Sequence, residues 1–182
     1  MRVAVFGGSF DPPHIGHAMI VQWLILSGTV DEVWLTPTFQ HALKDRTLSP
    51  WKDRCDWVDR LARAIGHRTV CCTIEDTLPQ PSYTINTLEA LTERYPGRDF
   101  RLVIGADILY ETYRWHRWED IEAKFNPIVM GRAGFPMVPG SPAFPKVSST
   151  MIRKLLVKKK REEAAVYVPK LVMDVLPHGL YW

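Results

Sequence analysis

Short apolar runs alternate with longer amphipathic stretches along this chain. Residues 3–6 (VAVF) form a brief apolar run closed by glycine, the pattern of a buried strand. Residues 18–26 are apolar over a length that suits a helix, and Gly28 would end it. Residues 32–36 (EVWLT) read as a second strand, closed by Pro37. From Trp51 the apolar positions fall at Trp51, Cys55, Val58, Ala62 and Ile65. Steps of four and three mark an amphipathic helix, with Pro50 suited to its first turn and Gly66 past its end. Residues 69–74 are β-rich, and residues 84–95 read as a helix stopped by Pro96-Gly97. Residues 100–104 (FRLVI) and 127–130 are further strands, and final helices are predicted over 149–159 and 162–176.

Strands separated by helices, with nearly continuous apolar runs, imply an α/β fold. The sheet is parallel and covered by helices on both faces. Right-handed crossovers make it a Rossmann-like doubly wound sheet. Ligands of such sheets sit outside the carboxyl ends of the strands. The stretches that follow strands therefore carry the chemistry: residues 7–17, 38–44, 105–115 and the approach to Ser148. Residues 133–146 hold two glycines and four prolines and must form a loop.

Length and composition narrow the class. At 182 residues the chain suits one domain, residues 1–182. No apolar run reaches the ~18 residues of a membrane span. The apolar start stops at two glycines, too soon for a signal-peptide core, so the cytoplasm is the expected compartment. Cys55, Cys71 and Cys72 form no Cys-x-x-Cys pair and are expected to be buried free thiols. A net charge of +3 does not argue for nucleic acid. The KKKR run at 158–161 reads as a solvated helix end, so neither nucleic acid nor membrane is expected as a partner. A homo-oligomer is left open.

The densest chemistry lies in GGSFDPPHIGH, residues 7–17. Gly7 and Gly8 let the backbone come close to a ligand. Asp11-Pro12-Pro13 sets an extended turn, His14 precedes a helix, and His17 lies in its first turn. Helix N-termini present unpaired N–H groups to anions, and two imidazoles there add hydrogen bonds. Gly16 leaves room for a phosphate or base against the backbone. The alternatives are a turn-rich loop with incidental histidines, or a zinc site. The latter lacks a third ligand nearby, so no protein metal site is expected.

HIGH (His14-Ile15-Gly16-His17) after a glycine-rich turn resembles the nucleotidylyltransferase superfamily, which includes the class I aminoacyl-tRNA synthetases. The short chain has no KMSKS-like segment. Instead VSSTMIR, residues 147–153, is similar to the I-S-S-T-x-I-R signature of small adenylyltransferases. PSYTINTLEAL (81–91) and LVIGADIL with Trp115 (102–118) resemble segments of nicotinate mononucleotide adenylyltransferases, as does the C-terminal VYVP…GLY (166–181). On these motifs in order, nearly the whole chain resembles that family.

The resemblance implies transfer of the adenylyl group of ATP to nicotinate mononucleotide, giving nicotinate adenine dinucleotide and pyrophosphate in NAD biosynthesis. It implies His14, His17 and Arg153 as catalytic residues. Gly7, Gly8, Ser9, Phe10, Gly16, Gly105, Asp107, Ser149 and Thr150 would bind ATP and its phosphates. Tyr83, Thr84, Trp115, His116 and Lys44 would bind the nicotinate nucleotide. Mg²⁺ would ride on the ATP oxygens. Trp115 would stack on the pyridine ring, although Trp115 and Trp118 at i and i+3 could both belong to the core. Two departures stand out. His116 replaces a tyrosine, and TPTFQHALKD (36–45) replaces a P-x-x-x-P-P-H-K loop, leaving Lys44 as its basic residue. Other acceptors (nicotinamide mononucleotide, alone or with the acid form, or phosphopantetheine) and a non-catalytic nucleotide-binding regulator remain as alternatives. The Ser-Tyr-Thr segment and Trp115 favour a pyridine ring.

Overall fold

The computed structural model describes residues 1–40, 42 and 47–177. Among these, five strands form one parallel sheet: β1 (Arg2–Gly8), β2 (Glu32–Pro37), β3 (Thr69–Cys71), β4 (Asp99–Gly105) and β5 (Ile128–Met130), in the order β3-β2-β1-β4-β5. The chain winds outward from β1 to β2 and β3, then returns to add β4 and β5 on the other side. That reversal places a crevice between the ends of β1 and β4, where such sheets bind ligands.

Strand alternation explains why both faces need cover. On β1, Ala4 and Phe6 enter one apolar cluster while Val3 and Val5 enter the other. Val33 and Leu35 on β2 face the first cluster and Trp34 the second. Helices α1 (Ile15–Leu26) and α2 (Trp51–Ile65) cover the first face. They are joined there by α5 (Ser149–Val157), α6 (Arg161–Ala165) and α7 (Lys170–Met173). Helices α3 (Thr84–Arg94) and α4 (Trp118–Phe125) cover the second.

The predicted Rossmann-like sheet is present, with local corrections. The helix expected over 162–176 is two short helices, α6 and α7. Pro169 cannot donate the backbone hydrogen bond a helix interior requires, so the chain breaks there and restarts. Helix α4 was not anticipated. Residues 69–74 give only a three-residue strand before a 3₁₀ turn, Ile74–Thr77. The three cysteines are free, but only Cys72 is buried, Cys55 and Cys71 being half-buried. The KKKR run divides as well. Lys158–Lys160 are exposed, whereas Arg161 donates to the carbonyls of Met173 (2.7 Å) and Leu176 (3.0 Å) and so closes the C-terminal segment.

Candidate active site

A cleft of about 530 Å³ opens at the carboxyl ends of the strands. Its lining includes every site residue expected from the sequence except Lys44, which lies outside the described residues.

The turn after β1 is tightly built. Phe10 has a φ of +46°, a left-handed conformation that aromatic residues rarely adopt, and its side chain is fully buried. Its ring lies 4.8 Å from that of His17, centroid to centroid, and Phe6 borders His17 on another side at 5.7 Å. Local strain of this sort persists only where surrounding packing over-determines it. Gly7 faces open space, as a close backbone approach requires.

His14 is the N-cap of α1 and His17 lies in its first turn. The two rings stack at 3.7 Å with 20° between their planes. The backbone N–H of His14 donates to Nδ1 of His17 at 3.1 Å. Neutral His17 must then carry its proton on Nε2, leaving that nitrogen as a donor. Burial, reinforced by the Arg132 charge, pushes His14 down to about 4. Burial also drives His17 well below the usual histidine range, with His14 and Arg132 adding to it. Both imidazoles are neutral donors at physiological pH in the ligand-free protein.

Gly16 has a packing role that the sequence did not show. A Cβ there would come within 3.0 Å of the His14 ring. The glycine thus leaves room for the His14 ring in the histidine stack, and it also lines the cleft.

The C-terminal signature meets this turn from the far end of the chain. Ser148 caps α5 by accepting from the N–H of Met151 at 3.2 Å. Ser149 Oγ donates to the carbonyl of Pro12 at 2.8 Å. Arg153 donates to the carbonyl of Asp11 at 2.6 Å and to Thr150 Oγ at 3.1 Å. Two motifs about 140 residues apart in sequence are thus bolted into one anion-binding corner, with the N-termini of α1 and α5 converging on it.

On the β4 side, Gly105 leaves room for the Asp107 carboxylate, whose Oδ1 would have to shift if a Cβ were added there. Asp107 Oδ2 pairs with Arg132 at 3.2 Å, while its buried Oδ1 has no hydrogen-bond partner. Arg132, just after β5, was missed by the sequence reading. The signal was available: it follows a strand at the carboxyl edge of the sheet.

The second half of the cleft is aromatic. Trp115 is half-buried and lines the cleft; Trp118 meets it edge-on at 5.8 Å, packs into the core and does not line the cleft. Tyr83, the N-cap of α3, lies 4.6 Å from the His116 ring. The first amides of α3, including that of Thr84, have no acceptor within the helix and suit a carboxylate. Glu75 was also missed. Only 6% exposed, it accepts from the N–H of Phe39 and from Thr87 Oγ, each at 3.0 Å, and burial pushes its carboxyl up.

A corner of two converging helix N-termini beside an aromatic slot can hold a nucleoside triphosphate against a second, ring-bearing nucleotide. Comparison with known proteins points the same way. The cytidylyltransferase-like family matches residues 5–155. A protein of Anaeromyxobacter sp. (strain K) described as "Probable nicotinate-nucleotide adenylyltransferase" is 40% identical over 99% of this chain and 96% of its own length. One of Myxococcus xanthus with the same description is 34% identical over 100% and 95%. In fold, the chain is similar to Plasmodium falciparum nicotinic acid mononucleotide adenylyltransferase complexed with NaAD. The TM-score is 0.77, at 18% identity over 95% of this chain and 93% of that one.

Proposed function

The chain belongs to the cytidylyltransferase-like family and, within it, to the nicotinate-nucleotide adenylyltransferases, and from that premise we infer how its cleft works. It transfers the adenylyl group of ATP to nicotinate mononucleotide, releasing pyrophosphate and forming nicotinate adenine dinucleotide, a step of NAD biosynthesis. The observation that carries this reading is the junction of the histidine stack with the first turn of α5, facing the Trp115 slot within one cleft.

The 5′-phosphate oxygen of the mononucleotide attacks the α-phosphorus of ATP. The new P–O bond forms as the bond to the β-phosphate bridging oxygen breaks, and pyrophosphate carries away the electron pair. Catalysis is positioning plus charge stabilisation. His17 Nε2–H donates to a non-bridging α-phosphate oxygen, where charge develops. His14 and Arg153 contact the triphosphate, with the amides of Gly7 to Phe10 and of Ser149 and Thr150 around it. Thr84 and Tyr83 at the start of α3 receive the nicotinate carboxylate, and the pyridine ring stacks on Trp115 beside His116. Lys44 is assigned to the same substrate by position in sequence alone.

A divalent metal is generally used by enzymes of this kind. Among the described residues no group of three or more His, Cys, Asp or Glu could hold an ion. An ion carried on ATP phosphates needs only one or two protein carboxylates, and the unpartnered Oδ1 of Asp107 fits that need. Mg²⁺ is the ion we assign, and when bound it neutralises charge on the triphosphate. The reading also places residues 1–182 in one domain working in the cytoplasm; no described helix is long and apolar enough to cross a membrane.

The deciding experiment is pyrophosphate release with Mg-ATP, comparing nicotinate and nicotinamide mononucleotides side by side. A large preference for the acid is expected from the amides at the start of α3. Equal use would displace the carboxylate assignment, and no release with either would overturn the reading.

A further inference from the structure

Both halves of the cleft are carried by irregular loops, and a buried ion holds those loops together. Arg54 lies one turn into α2 and is 1% exposed. Its guanidinium spreads over backbone carbonyls. Nε donates to Ser49 at 3.0 Å, Nη1 to Ser9 at 2.9 Å and to Thr38 at 2.8 Å, and Nη2 to Phe39 at 3.4 Å. Ser9 belongs to the phosphate turn after β1, and Thr38 and Phe39 to the loop after β2. The ladder between β1 and β2 ends just here, with the N–H of Thr38 donating to the carbonyl of Gly8 at 2.8 Å, and the Arg54 side chain extends that tie to Ser9 and Phe39, beyond the last ladder bond.

Glu75 continues the link. Its buried carboxylate takes the N–H of Phe39 and the hydroxyl of Thr87, which stands on α3 behind Tyr83 and Thr84. Gln40 and Ser82 add a reciprocal pair of bonds, 3.2 and 2.9 Å, between the same loop and the start of α3. A continuous path runs Ser9, Arg54, Thr38 and Phe39, Glu75, Thr87. Burying an arginine and a carboxylate costs desolvation that a well-packed apolar pair would not. The planar fork of arginine is what lets one residue serve carbonyls from several segments at once.

We propose that Arg54 and Glu75 are positioning residues: a buried staple that sets the distance between the phosphate turn and the pyridine side of the cleft. In-line attack needs the mononucleotide phosphate close to the α-phosphorus, and an error near 1 Å costs on the order of 100-fold in rate. The identity of the two ligands rests on the functional reading above; the staple itself does not.

The test uses Arg54→Lys and Glu75→Gln in the full chain, with Arg60→Ala, on the outer side of α2 and paired with Asp56, as the control. Lysine keeps the charge but has one nitrogen and cannot span four carbonyls. Glutamine keeps the shape but offers only one acceptor oxygen. Amide exchange of the ligand-free proteins should be about tenfold or more faster in peptides covering 7–10 and 36–40, with the sheet and the rest of α2 as in the control. With both substrates, kcat should fall about 10- to 100-fold, with KM changing less. Unchanged exchange at 7–10 and 36–40, or a uniform rise across the whole chain, overturns the proposal. So does a turnover loss that merely follows lowered thermal stability. If Arg54→Lys fails to fold, Glu75→Gln carries both readouts. If the wild type turns over neither mononucleotide, the functional reading falls and the exchange data alone decide the staple.

Discussion

Acidifying the ligand-free protein from pH 7 to pH 5 should remove stability through the histidine stack. In the fold, burial and the Arg132 charge hold His14 at about 4. In the unfolded chain an ordinary histidine titrates near 6.5. The unfolded state therefore takes up the proton first as pH falls. The stability that rests on neutral His14 is complete above about pH 6.5 and drains away from there down to about pH 4. At pH 5 the loss from this residue is about 2 kcal/mol, from ~1.5 pH units at ~1.36 kcal/mol each. For a chain of this length that is about 4–8 °C in the unfolding midpoint. His17 is shifted in the same direction and adds to the loss. Glu75, shifted upward, works in the opposite sense. The assay is urea unfolding at pH 7 and pH 5 for the wild type and His14→Asn. The contribution of Glu75 is common to both proteins and cancels in the comparison. The variant lacks the titrating group, so its loss between the two pH values should be smaller by about 2 kcal/mol. Parallel stability profiles for the two proteins would refute the reasoning, because neutral His14 would then contribute nothing.

Removing the indole with Trp115→Ala should raise KM for the mononucleotide about tenfold or more, the scale of lost ring stacking, with little change for ATP. A rise confined to KM for ATP would take Trp115 out of the pyridine slot. His17→Ala should lower kcat about 100-fold or more, as loss of an oxyanion donor does elsewhere. Near-normal turnover in steady-state assays would remove His17 from the chemistry.

What could be read without coordinates was whatever depends on near neighbours in the chain. The apolar runs of β1, β2 and β4 and the 3–4 spacing in α2 follow from local periodicity, and their alternation implied the parallel sheet. His14 and His17 at a helix start are likewise local geometry, and the structure places them as expected. The break at Pro169 was legible in principle, since proline states its own restriction, but the apolar pattern across it was read as continuous. At Gly16 the structure adds a packing role beside the one expected. That His14 lies over it depends on ring stacking, which spacing alone does not reveal.

The remaining features belong to tertiary structure. On α2 the sequence offers Arg54 as one more polar position, yet the fold buries it under two loops. Glu75 looks like a surface carboxylate in a short turn until Phe39 and Thr87 arrive from 36 and 12 residues away. Arg132 acquires its meaning from Asp107 on the neighbouring strand's loop, and Arg153 from Asp11 at a separation of 142 residues. Period and capping are properties of a segment, so the sequence by itself determined the strands, the helices and the motifs they present. A buried charge is defined by partners that only the folded chain brings within hydrogen-bond distance, so tertiary structure alone decided which polar residues hold the cleft in shape.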